Sequence, residues 1–168
     1  SFIRDRASYG VMINSGISDL GTRLGSEFPA LIDVLRANAI DIIHSEIKGQ
    51  EPDFLMDDVV LQIPVPSPEK IICIGVNYGN RNDEYKDGSD APEFPSVFLR
   101  TPGSFVGHNQ DILRPPESDQ LDYEGEIVLV EGKDGRRIKK ENYLQHIAAV
   151  LCTNLTQTTT KSMYSRET

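Results

Sequence analysis

An α+β chain is what the sequence predicts, on three observations. Short strand-like runs recur at 9–13, 59–63, 70–76, 96–100, 111–113 and 121–130. Apolar stripes at helical spacing interrupt them, most clearly at Leu31, Val34 and Leu35. Proline and glycine punctuate the joints, with Pro52, Pro64, Pro66 and Pro68 around one run and Pro115-Pro116 after another.

The elements follow in order. The strand at 9–13 ends in a turn at Asn14-Ser15-Gly16, and a helix is expected to begin at Pro29, whose fixed φ suits a first helical turn. Leu31, Val34 and Leu35 then give the i, i+3, i+4 stripe of a core-facing helix, and a second helical segment over 40–47 stops before Gly49. Residues 51–68 read as a linker around the short strand 59–63. The strand at 70–76 is apolar on both faces and is therefore expected to be central. The polar, glycine-containing segment 77–88 leaves its end, where loops commonly carry function. Strands at 96–100 and 111–113 form a hairpin-like region closed by the proline pair. In 121–130, the run Ile127-Val128-Leu129-Val130 again reads as covered on both faces. A turn at Gly132-Lys133-Asp134-Gly135 leads into an amphipathic helix over 139–151, and pattern is lost beyond Thr153.

Composition narrows the function. The 168 residues suffice for a domain with a real core, and 38% hydrophobic with 26% charged residues is a globular mixture. A formal net charge of −9 without a Lys/Arg cluster speaks against a nucleic-acid partner. It does not speak against a small anionic substrate, because a local cation reverses the field inside a pocket. Cys73 and Cys152 each lie in apolar runs and read as small buried hydrophobes of a reducing compartment, so a cytoplasmic protein is expected. The first residues mix both charge signs, so no secretory signal is expected. No stretch approaches the ~20 apolar residues of a membrane span, and no membrane partner is expected.

The most informative segment is Leu121-Asp122-Tyr123-Glu124-Gly125-Glu126-Ile127. Side chains at i and i+2 of a strand share a face, so Glu124 and Glu126 project side by side, with Asp122 one step further. Two carboxylates that close repel unless protons or a cation lie between them, and hard ions such as Mg²⁺, Mn²⁺ or Ca²⁺ take oxygen ligands. The same alternation also fits a solvated edge strand charged for solubility.

Three motifs carry a resemblance. They are Lys70-Ile-Ile-Cys-Ile-Gly-Val-Asn-Tyr78, Pro95-Ser-Val-Phe-Leu-Arg100 leading to Ser104-Phe-Val-Gly-His108, and the glutamate segment itself. Over residues 55 to 152 the chain resembles the fumarylacetoacetate hydrolase family, particularly its bacterial-type hydratase and isomerase members. The resemblance implies a mainly β fold with peripheral helices, a β-roll or distorted barrel. It also implies a division into a small N-terminal α+β domain, 1–60, and the first part of the catalytic domain, 61–168. It further implies a Mg²⁺- or Mn²⁺-dependent enzyme, usually a homodimer, that acts on 2-oxo acids or 1,3-dicarbonyl compounds through a metal-stabilised enolate.

Residue by residue, the resemblance makes Glu124 and Glu126 two metal ligands and places Tyr78, Arg100 and Lys161 toward the substrate. The loop after Asn77-Tyr78 in many members carries a His and a Glu three residues apart. Here Glu84 holds the glutamate position, and Arg81 stands where the histidine belongs. Arginine is no base near neutral pH but binds a carboxylate bidentately, so isomerase, hydratase or decarboxylase chemistry gains weight over water-dependent hydrolysis. Arg81 and Glu84 also fit a solvated i, i+3 helix pair. Asn80 lies where some members place an aspartate and is expected to act indirectly at most. His108 is expected in a turn or pocket wall, and His146 in a structural role. The pattern breaks after Asn154, which is followed by Leu155 instead of an acidic residue. The third metal ligand is absent there, and the chain is expected to be incomplete on its C-terminal side. Two functions stay open: a metal-dependent enzyme of 2-oxo or dicarbonyl acids, or a catalytically impaired relative that serves as an assembly or binding module.

Overall fold

Turns and caps organise the N-terminal part more than long elements do. In the computed structural model, which describes residues 1–79 and 93–154, six short strands, three α-helices and one 3₁₀ turn (Met56–Asp58) occupy the first 61 positions. β1 (Phe2–Ile3) pairs antiparallel with β2 (Ala7–Ser8). β3 (Gly10–Ile13) and β4 (Gly16–Asp19) form a hairpin whose turn holds Asn14 at a φ of 52°, a left-handed conformation that asparagine tolerates. The helices are α1 (Leu20–Leu24), α2 (Leu31–Arg36) and α3 (Ile40–Ile47). Pro29 precedes the second helix rather than opening it. Extended Ala30 is the cap, and its amide donates to Asp33 Oδ2 at 2.9 Å.

Tyr9, Leu20, Leu24, Phe28, Val34 and Ile43 form one buried cluster, lined by Val11, Leu31, Ala39, Ile42 and Ile47. The Leu31, Val34 and Leu35 stripe accordingly faces the core, and Val34 is fully buried. Tyr9 satisfies its buried hydroxyl by donating to the Phe28 carbonyl at 2.7 Å.

A polar network ties the chain together beside this core. Asp19 caps α1, accepting from the Thr22 amide at 3.1 Å and the Thr22 hydroxyl at 2.7 Å, and Ser8 adds a third donor. Arg23 grips Asp53 with both terminal nitrogens, at 2.6 and 2.9 Å, while the Asp19 amide donates to the same carboxylate at 2.7 Å. The stretch read as a linker is therefore part of this structure: β5 (Phe54–Leu55) pairs with β4, and β6 (Val60–Leu61) pairs with β1. β6 falls within the short strand expected over 59–63, whereas two-residue β5 is too short for alternation to reveal it.

The remaining described strands form two antiparallel pairs. β7 (Ile71–Gly75) runs against β8 (Ser96–Arg100), with Ile71 opposite Arg100 and Gly75 opposite Ser96. β9 (Gly125–Glu131) runs against β10 (Ile147–Asn154), with Glu126 opposite Thr153 and Gly125 opposite Asn154. Three expectations are corrected here. Among the described residues β7 and β9 are not covered on both faces, since Ile72 is 58% and Ile127 62% exposed. Residues 111–113 form no strand, and Leu113 stands in solvent. The helix expected over 139–151 is a 3₁₀ helix only over Lys140–His146, after which the chain extends into β10. Ile147, Val150 and Leu151 fit a helical stripe, but the unpaired edge of β9 offers a full ladder, and tertiary pairing overrides that local pattern.

Cys152 lies on the exposed side of β10 and Cys73 is half-buried; both are free, so neither is the buried hydrophobe expected. The loop before the glutamates is tied to the N-terminal part. Gln110 Nε2 donates to the Leu61 carbonyl at 2.9 Å, and that carbonyl lies so close to Gly107 that a Cβ there would collide with it. His108 is exposed in the adjoining turn, and His146 Nδ1 lies 3.1 Å from the Lys133 carbonyl, a structural contact. Among the described residues no helix is long and apolar enough to cross a membrane.

Candidate metal centre

The two glutamates sit where β9 begins. Along β9 burial alternates, with Glu126, Val128 and Val130 half-buried and Ile127, Leu129 and Glu131 exposed. The alternation extends back through half-buried Glu124 and exposed Tyr123. Glu124 and Glu126 thus share the more sheltered face, as i, i+2 spacing requires. Asp122 is exposed, and its Oδ1 accepts from the Tyr123 amide at 2.9 Å.

Each glutamate is held differently. Glu126 lies inside the ladder opposite Thr153, and its Oε2 accepts a hydrogen bond from the Tyr78 hydroxyl at 3.3 Å. The Glu126 charge beside that phenol is the main reason the Tyr78 hydroxyl is held above its ordinary pKa. Glu124 precedes the ladder by one residue, and its amide donates to Asn154 Oδ1 at 3.1 Å.

Tyr78 reaches Glu126 because of how β7 ends. Val76, directly after the strand, adopts a φ of 53°, a left-handed conformation that a β-branched residue rarely takes. Such a residue costs on the order of 1–3 kcal/mol and is kept where the surroundings fix the chain path. Arg100 ends β8 opposite Ile71, half-buried, with a buried Nε that has no hydrogen-bond partner among the described residues. The structure therefore brings Tyr78 to Glu126. Arg81, Glu84, Asn80 and Lys161 lie outside the described residues. Sequence reasoning passed over Val76, and it read Asn154 as a landmark without a role.

The donor chemistry fits a hard divalent ion in part. Two half-buried carboxylates offer four oxygens on one face, and among the described residues no ion pair neutralises Glu126. Among the same residues no cluster of three His, Cys, Asp or Glu forms, so a pair is what this part of the chain supplies.

Comparison with known proteins identifies the family. The family model for the fumarylacetoacetate (FAA) hydrolase C-terminal region matches residues 70–163. Oxaloacetate tautomerase YisK of Bacillus subtilis is 43% identical over 97 residues, which is 56% of this chain and 32% of that protein. Mitochondrial oxaloacetate tautomerase Fahd2a of Rattus norvegicus is 30% identical over 138 residues, 81% of this chain and 44% of its own. Among solved structures, fumarylacetoacetate hydrolase from Exiguobacterium antarcticum superposes with a TM-score of 0.65 at 30% identity, covering 92% of this chain and 54% of its own. Maleylpyruvate hydrolase from Sphingobium sp. SYK-6, solved with manganese(II) and pyruvate, shares the fold with a TM-score of 0.71 at 22% identity, over 94% of this chain and 58% of its own. The chain thus spans less than half the length of these two tautomerases and somewhat more than half of the solved chains.

Proposed function

Because the chain belongs to the fumarylacetoacetate hydrolase family, we propose that it carries the metal-holding part of an enzyme that interconverts keto and enol forms of a small 2-oxo or 1,3-dicarbonyl acid. Glu124 and Glu126 would hold Mg²⁺ or Mn²⁺, with Ca²⁺ a third fit to the same oxygen donors. When bound, such an ion supplies Lewis-acid stabilisation of enolate charge on a chelated 2-oxo carboxylate. The observation that carries the reading is the pair of half-buried carboxylates on one face at the head of β9, held by Asn154 and Tyr78.

The chain's own residues divide the remaining work. Tyr78 orients Glu126 through its hydroxyl and stands next to where a substrate would lie. Arg100, whose buried Nε lacks a partner among the described residues, would bind a substrate carboxylate. Arg81 in place of a histidine removes the neutral base that water activation needs, and tautomerisation needs no activated water. Arg81 and Lys161 would bind substrate charge, and Glu84 would move the proton. The tautomerases among the relatives and the pyruvate in one fold neighbour support the substrate class. The fold neighbours support reading the strand pairs as part of the family's fold, and a homodimer is the assembly the family resemblance implies.

A second reading has its own support. Ile72, Leu99, Ile127 and Val150 leave apolar sheet faces open, and among the described residues no third ligand joins the glutamates, which fits a binding or assembly module without turnover. Ketonisation of enol-oxaloacetate, followed by its ultraviolet absorbance with and without Mn²⁺, separates the two. The enzyme reading requires an Mn²⁺-dependent rate above the spontaneous one that disappears in Glu126→Gln. A rate equal to the buffer's at saturating Mn²⁺ favours the module.

A further inference from the structure

The glutamate that the ladder leaves out is the one that needs positioning. Main-chain pairing of β9 with β10 ends at Gly125 opposite Asn154, so Glu124 lies one residue beyond it. Between the two carboxylates stands Gly125, which has no side chain to restrict it and, among the described residues, nothing within 4 Å of where a Cβ would be. A glycine in that place adds no side-chain packing to hold the Glu124 backbone in register with Glu126. The Asn154 side chain holds it: its Oδ1 takes the Glu124 amide at 3.1 Å and extends the ladder by one rung.

We infer that Asn154 is a positioning residue that sets Glu124 beside Glu126 and so fixes the spacing of the carboxylate pair. The inference rests on the reading of that pair as a cation site. An amide side chain suits the task because it offers a neutral acceptor, which fixes the backbone without adding a third negative charge to the pair. Glu126 needs no equivalent device, since its own backbone lies within the ladder.

Two measurements on the full chain test this. The first is amide hydrogen exchange at Glu124 in the metal-free protein. Protection is expected in the parent and is expected to be lost in Asn154→Ala while the amides of 127–130 stay protected. A Glu124 amide that exchanges freely in the parent overturns the inference, whatever the pair binds. The second is Mn²⁺ affinity by calorimetry, where Asn154→Ala is expected to weaken binding about tenfold or more, in the range typical of residues that orient metal ligands. Asn154→Asp keeps an acceptor at the same place and is expected to bind at least as tightly as the parent. Equal affinity in the parent and Asn154→Ala overturns the positioning role. A parent that binds no Mn²⁺ at millimolar concentration overturns the cation reading itself, and the inference with it.

Discussion

Tyr78 and Glu126 stand 48 positions apart in the chain, and the hydroxyl of one donates to a carboxylate oxygen of the other at 3.3 Å. The contact joins the loop that leaves β7 to the first turn of the β9 ladder. It is long and partly solvated, so Tyr78→Phe is expected to change global stability by less than about 1 kcal/mol. A urea titration checks this, and a small change means that any loss of Mn²⁺ binding in the variant comes from the site and not from unfolding.

Val76 invites an unusual substitution. Glycine in or beside a strand is ordinarily destabilising, but at a φ of 53° it relieves the strain that a β-branched residue carries. Val76→Gly is expected to be neutral or to stabilise by up to about 1 kcal/mol. A thermal or urea midpoint clearly below the parent's would show that the Val76 side chain matters more than its backbone.

The Asp19 and Asp53 network makes stability sensitive to acid. Hydrogen bonds from Arg23 are the main reason the Asp53 carboxyl lies below its usual range. For Asp19, burial alone would raise the value, but donors from Ser8 and Thr22 and the charge of Arg6 outweigh it, and the net shift is downward. A depressed folded-state value means that the unfolded chain binds protons more readily. The contribution is therefore complete above the unfolded pKa of about 4 and is lost as pH falls through the lower folded values. Asp53→Asn is expected to cost roughly 1–2 kcal/mol at pH 7, reduced by the pair's partial exposure, and much less near pH 3. Urea midpoints at the two pH values check the sign.

The exposed sheet faces give a solution property. Ile127, Leu129 and Val150 on the outer side of β9 and β10 are each more than half exposed. Such a surface binds hydrophobic dye or associates. Leu129→Lys is expected to lower dye fluorescence and self-association while leaving the unfolding midpoint within about 0.5 kcal/mol of the parent.

Much of this was legible in the residues, and the losses have physical causes. Strands at 70–76 and 96–100 were readable because β-branched runs bounded by polar loops have few alternatives, and the structure places β7 and β8 within them. The sharing of a face by Glu124 and Glu126 followed from period-two geometry alone. The stripe at Leu31, Val34 and Leu35 was legible for the same kind of reason, since i, i+3, i+4 spacing puts three side chains on one helix face. β10 was not legible, because Ile147, Val150 and Leu151 satisfy both periods and only the partner strand decides between them. The Arg23–Asp53 grip, the Tyr78 contact and the Asn154 tether join residues 30 or more positions apart, and no local pattern encodes such pairs.

The carboxylate pair is tested most directly by calorimetric titration of Mn²⁺ into the metal-free protein, the parent beside Glu124→Gln and Glu126→Gln. One site per chain in the parent, with affinity lost in both variants while their circular dichroism is unchanged, is the expected result. No heat of binding in the parent at millimolar Mn²⁺, or equal binding in all three proteins, would contradict the assignment of Glu124 and Glu126 as a cation site.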